Sequence, residues 1–283
     1  MNAVTETTLL SFEDVDLLVA ERGQGAPLIF IHGYTNDHDL WHESMAAFSR
    51  DHRCVAYDVR GHGGSSSPFT GYGVQDHTDD LLRVMDSLKI AAASLIGLSM
   101  GGGIALSAVL AHPERVDRLV LASSTVGGLP WEEGMWNYFR DFETAARGLG
   151  VQVAIDKVWI NGPLFNSVKR YPALHKRLRE MAGRFSGGNI FDRARYARPP
   201  VPDCDRLAEI RRPTLVIRGE FDPPEFVRRA NLLAERIAGA RLEIIPGAGH
   251  FTNLEAPILF NKVVQRFLKE TATHGVQAPI PPG

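Results

Sequence analysis

The amino-acid sequence predicts an α/β fold, in which helices cover both faces of a mostly parallel β-sheet. Six short apolar runs rich in β-branched residues occur along the chain, and helical or turn segments separate them. Such alternation is typical of parallel strands joined by helical crossovers. The chain has 283 residues, of which 44% are hydrophobic, and this suffices for a large core. Right-handed crossovers bring the loops that follow the strands to one edge of the sheet, where we expect the functional site.

The predicted elements follow in chain order. Two strand-like stretches within residues 9–21, broken by Glu13-Asp14, predict an N-terminal hairpin. Periodicity predicts helices at about residues 41–49, 74–89 and 255–270, and a further helix directly after Ser99. The apolar runs predict six more strands: Leu28 to Ile31, Cys54 to Tyr57, Ser94 to Gly97, Arg118 to Ala122, Thr214 to Ile217 and Leu242 to Ile245.

One stretch, residues 130–206, contains no strand-like run and is rich in aromatic and basic residues. We interpret it as a helical cap inserted after the sixth strand, between the two parts of a core formed by residues 1–129 and 207–273. The segment Arg198-Pro199-Pro200-Val201-Pro202 marks the return to the sheet. The proline-rich residues 274–283 are predicted to be disordered.

Three tryptophans in or beside this cap are candidate substrate-binding residues, because a cap would cover the site at the sheet edge. They are Trp131, Trp136 and Trp159. The alternative for each of them is a place in the core of the cap itself.

Composition excludes several classes of function. The net charge is -2, and Lys and Arg are spread along the chain, so neither nucleic acid nor an anionic membrane is an expected partner. No run of about 18 apolar residues predicts a membrane span, and the first residues lack the pattern of a signal peptide. Two cysteines, Cys54 and Cys204, cannot form a disulfide framework, and Cys54 lies in an apolar strand. We therefore expect a cytoplasmic protein with reduced thiols.

The candidate nucleophile is Ser99, in the motif Gly97-Leu98-Ser99-Met100-Gly101. The motif follows an apolar strand and precedes a helix of small residues, as in the tight strand-to-helix turn that exposes a nucleophilic serine. Glycines are needed two residues before and after the serine because other backbone passes close by. The helix would point its free amides and the positive end of its dipole at the reaction centre. The alternative is a glycine-rich turn without chemistry.

A serine hydroxyl needs a base within hydrogen-bond reach, and an acid orients that base. With a serine turn of this kind the acid comes next along the chain and the histidine last. Asp222 follows the fifth apolar run, and His250, preceded by glycines, follows the sixth. The alternative for Asp222 is a helix cap before Pro223-Pro224. Glu220 and Glu132 are the rival acids.

The amides of Met100 and Tyr34 are the candidate oxyanion donors, because acyl transfer needs two backbone N–H groups near the nucleophile. Gly33 allows the backbone to approach the substrate, and His32 is interpreted as a structural hydrogen-bonding residue. The loop Asp58-Val59-Arg60-Gly61-His62-Gly63-Gly64-Ser65 is interpreted as a turn held by its Asp and Arg. It has neither the spacing of a phosphate-binding loop nor that of metal ligands, so we expect no cofactor and no metal.

These motifs together resemble the α/β-hydrolase superfamily over about residues 10–129 and 207–270. They are His32-Gly33, Asp58-x-Arg60-Gly61-His62-Gly63-x-Ser65, Gly97-Leu98-Ser99-Met100-Gly101-Gly102, Asp222 and His250. Within the superfamily the chain resembles 3-oxoadipate enol-lactonases, arylesterases and cofactor-free haloperoxidases or perhydrolases. It is also similar to the carbon–carbon bond hydrolases of aromatic breakdown. Haloalkane dehalogenases and epoxide hydrolases require Asp where this chain has Ser99.

The resemblance implies a serine hydrolase that cleaves a small-molecule carboxylic ester or lactone through an acyl-enzyme. The first alternative uses the same three residues for carbon–carbon bond hydrolysis or for perhydrolase and haloperoxidase chemistry. The second is a non-catalytic binding protein on the same fold. The sequence predicts neither the natural substrate nor the oligomeric state.

Overall fold

The computed structural model describes residues 4–192 and 201–272. Within these ranges the strands are β1 (Glu6–Ser11), β2 (Asp16–Arg22), β3 (Ala26–Ile31), β4 (His52–Tyr57), β5 (Ala93–Leu98), β6 (Val116–Ala122), β7 (Thr214–Gly219) and β8 (Arg241–Ile245). The helices are α1 (His42–Phe48), α2 (Val74–Ser87), α3 (Met100–Ala111), α4 (Glu133–Leu149), α5 (Val151–Lys157), α6 (Pro172–Ala182), α7 (Gly188–Phe191), α8 (Asp203–Arg206), α9 (Pro224–Arg236), α10 (Thr252–Glu255) and α11 (Pro257–Ala272).

The eight strands form one sheet in the order β1-β2-β4-β3-β5-β6-β7-β8. The predicted N-terminal hairpin is present, since β1 pairs with β2 in antiparallel register, and β2 also runs antiparallel to β4. All other pairs are parallel. Ile31 lies beside both Tyr57 and Gly97, so β3, β4 and β5 end at the same edge of the sheet. The predicted α/β class with a mostly parallel sheet is confirmed.

Hydrophobic clusters cover both faces of the sheet, because alternate residues of each strand point to opposite sides. Phe30 packs on one face with Trp41, which directly precedes α1, and with Phe260 of α11. Its neighbour Ile29 packs on the other face, where Leu81 of α2 joins the core. The buried central strands therefore fix the ends of β3 and β5, and this fixes the points at which the loops after β3 and β5 begin.

Between β6 and β7 the described residues form α4 to α8 together with short 3₁₀ turns, and they contain no strand. Helix α4 buries Met135, Tyr138 and Phe142 along one side, with the spacing of an amphipathic helix. The predicted return segment falls partly on residues 198–200, and the predicted disordered tail falls on residues 274–283; both lie outside the described residues.

Two further expectations concern the helices and the thiols. Across residues 4–192 and 201–272, none of the helices combines the length and apolarity that crossing a membrane requires. Cys54 is buried in β4, as expected, and burial raises the pKa of its thiol to about 12. This thiol is therefore protonated and unreactive at neutral pH.

Two buried histidines should make the protein sensitive to acid. The rings of His32 and His62 lie with centroids 5.1 Å apart, and burial lowers the pKa of both imidazoles, that of His62 to about 3. Because unfolded histidines take up protons near pH 6.5, the unfolded chain binds more protons than the folded protein below that pH. We expect the free energy of unfolding to be highest above pH 6.5 and to fall on acidification, by about 1.4 kcal/mol per pH unit for each histidine.

Urea unfolding at several pH values between about 7 and 4 measures this slope. His62→Phe, which keeps an aromatic ring against Phe185, should reduce the slope. The exposed His42 changed to Phe is the matched control for the loss of an imidazole. An unchanged slope in His62→Phe would show that the acid sensitivity arises elsewhere.

Candidate active site

Ser99 lies in a sharp turn between β5 and α3, with φ 54° and ψ -113°. Few non-glycine residues adopt such a conformation, and it is typical of strained functional turns. A Cβ on Gly97 would lie 2.3 Å from the carbonyl oxygen of Gly101, and one on Gly101 would lie 2.1 Å from that of Ile31. The two flanking glycines are therefore required, because the turn closes tightly on itself at Gly97 and passes directly against the end of β3 at Gly101.

The start of α3 supplies hydrogen-bond donors beside this serine. Met100 is the first residue of the helix, so its N–H has no acceptor one turn earlier within the helix. The carbonyl oxygen of Ser99 accepts hydrogen bonds from the amides of Gly103 and Thr125, which fix the turn at 3.2 and 3.0 Å. The positive end of the helix dipole therefore lies at Ser99.

His250 and Asp222 form a buried hydrogen-bonded pair. Nδ1 of His250 lies 3.0 Å from Oδ1 of Asp222, and both side chains are almost inaccessible to solvent. The other carboxylate oxygen, Oδ2, accepts a hydrogen bond of 2.6 Å from the hydroxyl of Ser123. Asp222 thus holds the ring with Nδ1 as the donor, which leaves Nε2 to accept a proton.

The alternatives for the acid do not fit the geometry. The N-cap of α9 is Pro223, and the Asp222 carboxylate faces the sheet edge rather than capping this helix. Glu220 is exposed and accepts a hydrogen bond from the amide of Gly247. Glu132 is also exposed and pairs with Arg228. Of the three candidate acids, Asp222 alone contacts His250.

Glu255 fixes the backbone on both sides of His250. Its carboxylate oxygens accept hydrogen bonds from the amides of Gly249, at 3.0 Å, and Phe251, at 3.1 Å. The imidazole also packs against the ring of Phe226, with centroids 4.3 Å apart. The loop after β8 therefore presents the histidine in a defined orientation.

A cavity of about 180 Å³ joins these groups at the predicted edge of the sheet. Ser99 and His250 both line it, and in the part of the chain that the structure describes no hydrogen bond joins these two side chains. Catalytic hydrogen bonds are often long before substrate binds and shorten in the reacting complex. The other lining residues are Gly33, Tyr34, Asn36, Met100, Thr125, Trp131, Phe139, Trp159, Leu164, Phe226 and Phe251. The wall is mostly aromatic and aliphatic, so the cavity suits an apolar group.

The two residues predicted as oxyanion donors, Tyr34 and Met100, line the same cavity as Ser99. Tyr34 lies in the loop after β3, next to Gly33. The preceding His32 is buried; its Nδ1 contacts the carbonyl of Gly33 at 2.8 Å, and its Nε2 accepts the amide N–H of Val59 at 2.9 Å. Both ring nitrogens are engaged, in agreement with the structural role predicted for His32.

Two of the three predicted tryptophans reach the cavity. Trp131 lines it and stacks on the buried Arg229, whose guanidinium carbon lies 3.9 Å from the ring centroid. Trp159 also lines it. The expectation for Trp136 requires correction: its side chain is 49% exposed and does not contribute to the cavity wall. On α4 the inward positions are Met135, Tyr138 and Phe142, and Trp136 falls outside that stripe.

The loop after β4 is held as predicted by its Asp and Arg. Asp58 accepts hydrogen bonds from the amides of His38 and Gly64, each at 2.7 Å. Arg60 is buried and forms two hydrogen bonds of 2.6 Å with the carboxylate of Asp80. These contacts account for Asp58 and Arg60 as residues that hold the loop in place.

Among the described residues, Asp37, His38 and Asp58, the aspartate of this loop, form a group of three potential metal ligands. The ring of His38 contacts Asp58 at 2.8 Å, and Arg184 forms an ion pair with Asp37. Burial opposes charge on His38, but the hydrogen bond to Asp58 raises the pKa of the imidazole above its usual value. Arg184 is the cationic partner of Asp37, and the His38 ring is hydrogen-bonded to Asp58, so these contacts account for the cluster as part of the scaffold.

The comparison with known protein families agrees with this geometry. The sequence profile of the family described as alpha/beta hydrolase fold matches residues 26–257, from β3 to the first residue of α11. The chain belongs to the α/β-hydrolase fold family. The predicted superfamily is thus confirmed, and the chain is a member of a family of hydrolases.

Relatives of this α/β-hydrolase fall in several activity classes. A Bacillus subtilis (strain 168) protein, provisionally named 2-succinyl-6-hydroxy-2,4-cyclohexadiene-1-carboxylate synthase, is 33% identical over 90% of this chain and 96% of its own. The 2-hydroxymuconate semialdehyde hydrolase of Pseudomonas sp. (strain CF600) is 32% identical over 88% of this chain and 89% of its own. The crystal structure of the enol-lactonase from Burkholderia xenovorans LB400 matches with TM-score 0.79 and 27% identity, covering 93% of this chain and all of the other.

Two positioning contacts of this hydrolase were not predicted from its sequence. Ser123 directly follows β6, the strand next to β7 in the sheet; it has φ 42°, and its hydroxyl donates a hydrogen bond to Asp222. Thr35, in the loop after β3, has φ 62°, which is strained for a β-branched residue. Its hydroxyl oxygen accepts a hydrogen bond of 2.6 Å from the indole of Trp159. The sequence does contain a signal for Ser123, because polar residues that directly follow adjacent parallel strands lie at the same edge of the sheet.

Trp159→Phe should lower kcat/KM of this hydrolase by about tenfold. The change removes the donor to the buried hydroxyl of Thr35, whose strained loop also carries Tyr34 and Gly33. An unpaired buried hydroxyl costs about 1–3 kcal/mol, and the loop should lose its fixed position. Steady-state kinetics and thermal unfolding measure the two effects. Trp136→Phe is the matched control on the exposed surface, and equal effects of both substitutions would contradict this role of Trp159.

Proposed function

We propose that the protein is a serine hydrolase that cleaves a carboxylic ester or lactone of a small molecule, with Ser99 as nucleophile. One observation carries this proposal. Ser99, which has a strained backbone conformation, and His250 line the same apolar cavity, and Nδ1 of His250 is hydrogen-bonded to the buried carboxylate of Asp222. This is the arrangement that activates a serine hydroxyl for acyl transfer. The similarity to an enol-lactonase supports the ester or lactone class.

The proposed reaction proceeds in two steps. Nε2 of His250 takes the proton of the Ser99 hydroxyl as the oxygen attacks the substrate carbonyl, and the carbonyl oxygen becomes an oxyanion. The amides of Met100 and Tyr34 stabilise this negative charge. His250 then returns the proton to the leaving alkoxide, which leaves an acyl-enzyme. A water molecule, deprotonated by His250, releases the acid and restores Ser99.

Asp222 stabilises the imidazolium that forms in each step. Its Oδ1 accepts the Nδ1–H of His250, while Ser123 donates to Oδ2 and keeps the carboxylate in place. The helix dipole of α3 acts at the same point, because Ser99 stands at its positive end.

The size of the cavity predicts a preference for short acyl groups. A dry cavity of about 150 Å³ holds a molecule of the size of benzene, and pockets for drug-sized ligands measure about 300–1,000 Å³. With about 180 Å³ available, we expect kcat/KM for a four-carbon nitrophenyl ester to exceed that for a twelve-carbon ester by about a hundredfold. A series of nitrophenyl esters and simple lactones measures both the class of reaction and the size of the pocket.

Leu164→Ala is the matched variant for this series, because Leu164 lines the cavity and has no polar atom in its side chain. It should move the optimum to longer acyl chains. A flat chain-length profile would contradict the assignment of this cavity to the acyl group. No turnover of any ester or lactone would count against the proposed function itself.

Carbon–carbon bond hydrolysis by the same three residues is the second candidate. It is favoured by the similarity to the 2-hydroxymuconate semialdehyde hydrolase. Turnover of 2-hydroxymuconate semialdehyde, compared with nitrophenyl butanoate on one enzyme preparation, separates the two. Peroxide-dependent peracid formation tests the related perhydrolase chemistry in the same assay.

A further inference from the structure

Asn36 is a polar residue in the cavity wall that the proposed reaction does not use. It lies in the loop after β3, and the residue is only 2% exposed. Its side-chain oxygen Oδ1 is buried and has no hydrogen-bond partner. Among the described residues that line the cavity, no other side chain holds such a buried unpartnered atom. A buried polar atom without a partner calls for an explanation, and in the wall of a cavity a bound group can supply the missing hydrogen bond.

The loop itself does not need this side chain. The backbone amide of Asn36 donates to the carbonyl of Gly33 at 3.1 Å and closes the turn without the carboxamide. The neighbouring Thr35 and Asp37 are held by other partners, namely Trp159 and Arg184. The orientation of the Asn36 carboxamide is therefore not required by the contacts that hold the loop.

The carboxamide stands next to the nucleophile. A Cβ placed on Gly33 would lie 3.0 Å from Oδ1 of Asn36 and 3.4 Å from Cβ of Ser99. Gly33 lies between the two side chains, and the side chain of any larger residue at this position would fill the space that separates them. The wall of the same cavity also contains the apolar side chains of Trp131, Phe139 and Leu164.

We propose that Asn36 is a specificity residue that accepts a hydrogen bond from a hydroxyl or amide N–H on the carbon next to the scissile carbonyl. The carbonyl carbon bonds to the oxygen of Ser99 during the reaction, so the substituent one bond away lies within reach of Oδ1. The substrate class is therefore an ester or lactone that carries a hydrogen-bond donor at this carbon. This inference rests on the proposed function, because it takes Ser99 as the attacking group.

The test compares two lactones that differ only in that donor, α-hydroxy-γ-butyrolactone and γ-butyrolactone. The wild-type protein should prefer the hydroxylated lactone by about tenfold in kcat/KM, the effect of one well-placed hydrogen bond in a dry site. Asn36→Leu, which has a similar volume and no acceptor, should lose this preference. Phe139→Leu is the control in the apolar wall and should change both lactones by the same factor.

A binding measurement separates this inference from the proposed function. The same two lactones are titrated into Ser99→Ala protein, with and without Asn36→Leu, and chemical shifts are followed by NMR. A preference that disappears with Asn36→Leu supports the inference even where the wild type turns over no ester or lactone, an outcome that would count against the proposed function alone. The same preference with and without Asn36, in rate or in binding, would overturn the inference.

Discussion

Ser99→Ala should reduce turnover of a short nitrophenyl ester by about 10⁶-fold and leave the fold unchanged. The reaction loses its attacking oxygen, and the oxyanion donors alone retain a small residual rate. Alanine keeps the Cβ and meets the same steric limits at φ 54°, so the substitution adds no new conflict in the turn. Steady-state kinetics measures the loss. Circular dichroism and thermal unfolding establish that the variant is folded.

A covalent label provides a second measurement on the same variant. A fluorophosphonate should add to the wild-type protein at one site, which mass spectrometry of peptides locates, and should not add to Ser99→Ala. Ser94→Ala is the matched control, because Ser94 is buried on β5, the strand that leads to Ser99, and does not line the cavity. Most of the activity retained in folded Ser99→Ala would refute the assignment of the nucleophile.

Asp222→Asn should lower kcat by about 10⁴-fold with little change in KM. The carboxylate accepts the Nδ1–H of His250, whereas an amide in the same place can offer its own N–H to that nitrogen. The histidine would then carry its proton on Nε2 and could not accept the proton of Ser99. Loss of the negative charge also removes the stabilisation of the imidazolium. The pH dependence of kcat and KM, measured on one ester, records both effects.

Glu220→Gln is the control for this substitution. Glu220 lies in the same loop after β7, two residues before Asp222, but it is exposed and bonds to the amide of Gly247. The control variant should retain nearly full activity. If Glu220→Gln lost as much activity as Asp222→Asn, or if Asp222→Asn stayed within tenfold of the wild type, the assignment of the acid would be wrong.

The parts of the molecule that local sequence encodes were predictable. Apolar runs set the strands, and the flanking glycines of Ser99 mark a turn that admits no side chain at either position. The chain order of Asp222 and His250 after two successive strands then places both at the same sheet edge. Their mutual contact at 3.0 Å follows from parallel strand topology, which the alternation of strands and helices already implied.

The remaining features depend on contacts between distant residues. The bond between Trp159 and Thr35 joins positions 124 residues apart, and no local pattern indicates it. The error at Trp136 has a related cause, since aromatic composition was considered without the phase of helix α4. The hydrogen bonds from the amides of Gly249 and Phe251 to Glu255 join residues that are close in sequence, but they depend on how α10 is placed against the loop of His250.

The bond between Trp159 and Thr35 also bears on how the substrate range of this protein can evolve. Trp159 shapes the cavity with one part of its ring and braces the loop of Gly33 and Tyr34 with its indole N–H. A mutation there alters selectivity and chemical rate together, so it is a poor first target in a directed-evolution library. Phe139 and Leu164 line the same cavity with hydrocarbon alone, and diversity introduced at these two positions changes the shape of the pocket while the reaction centre keeps its support.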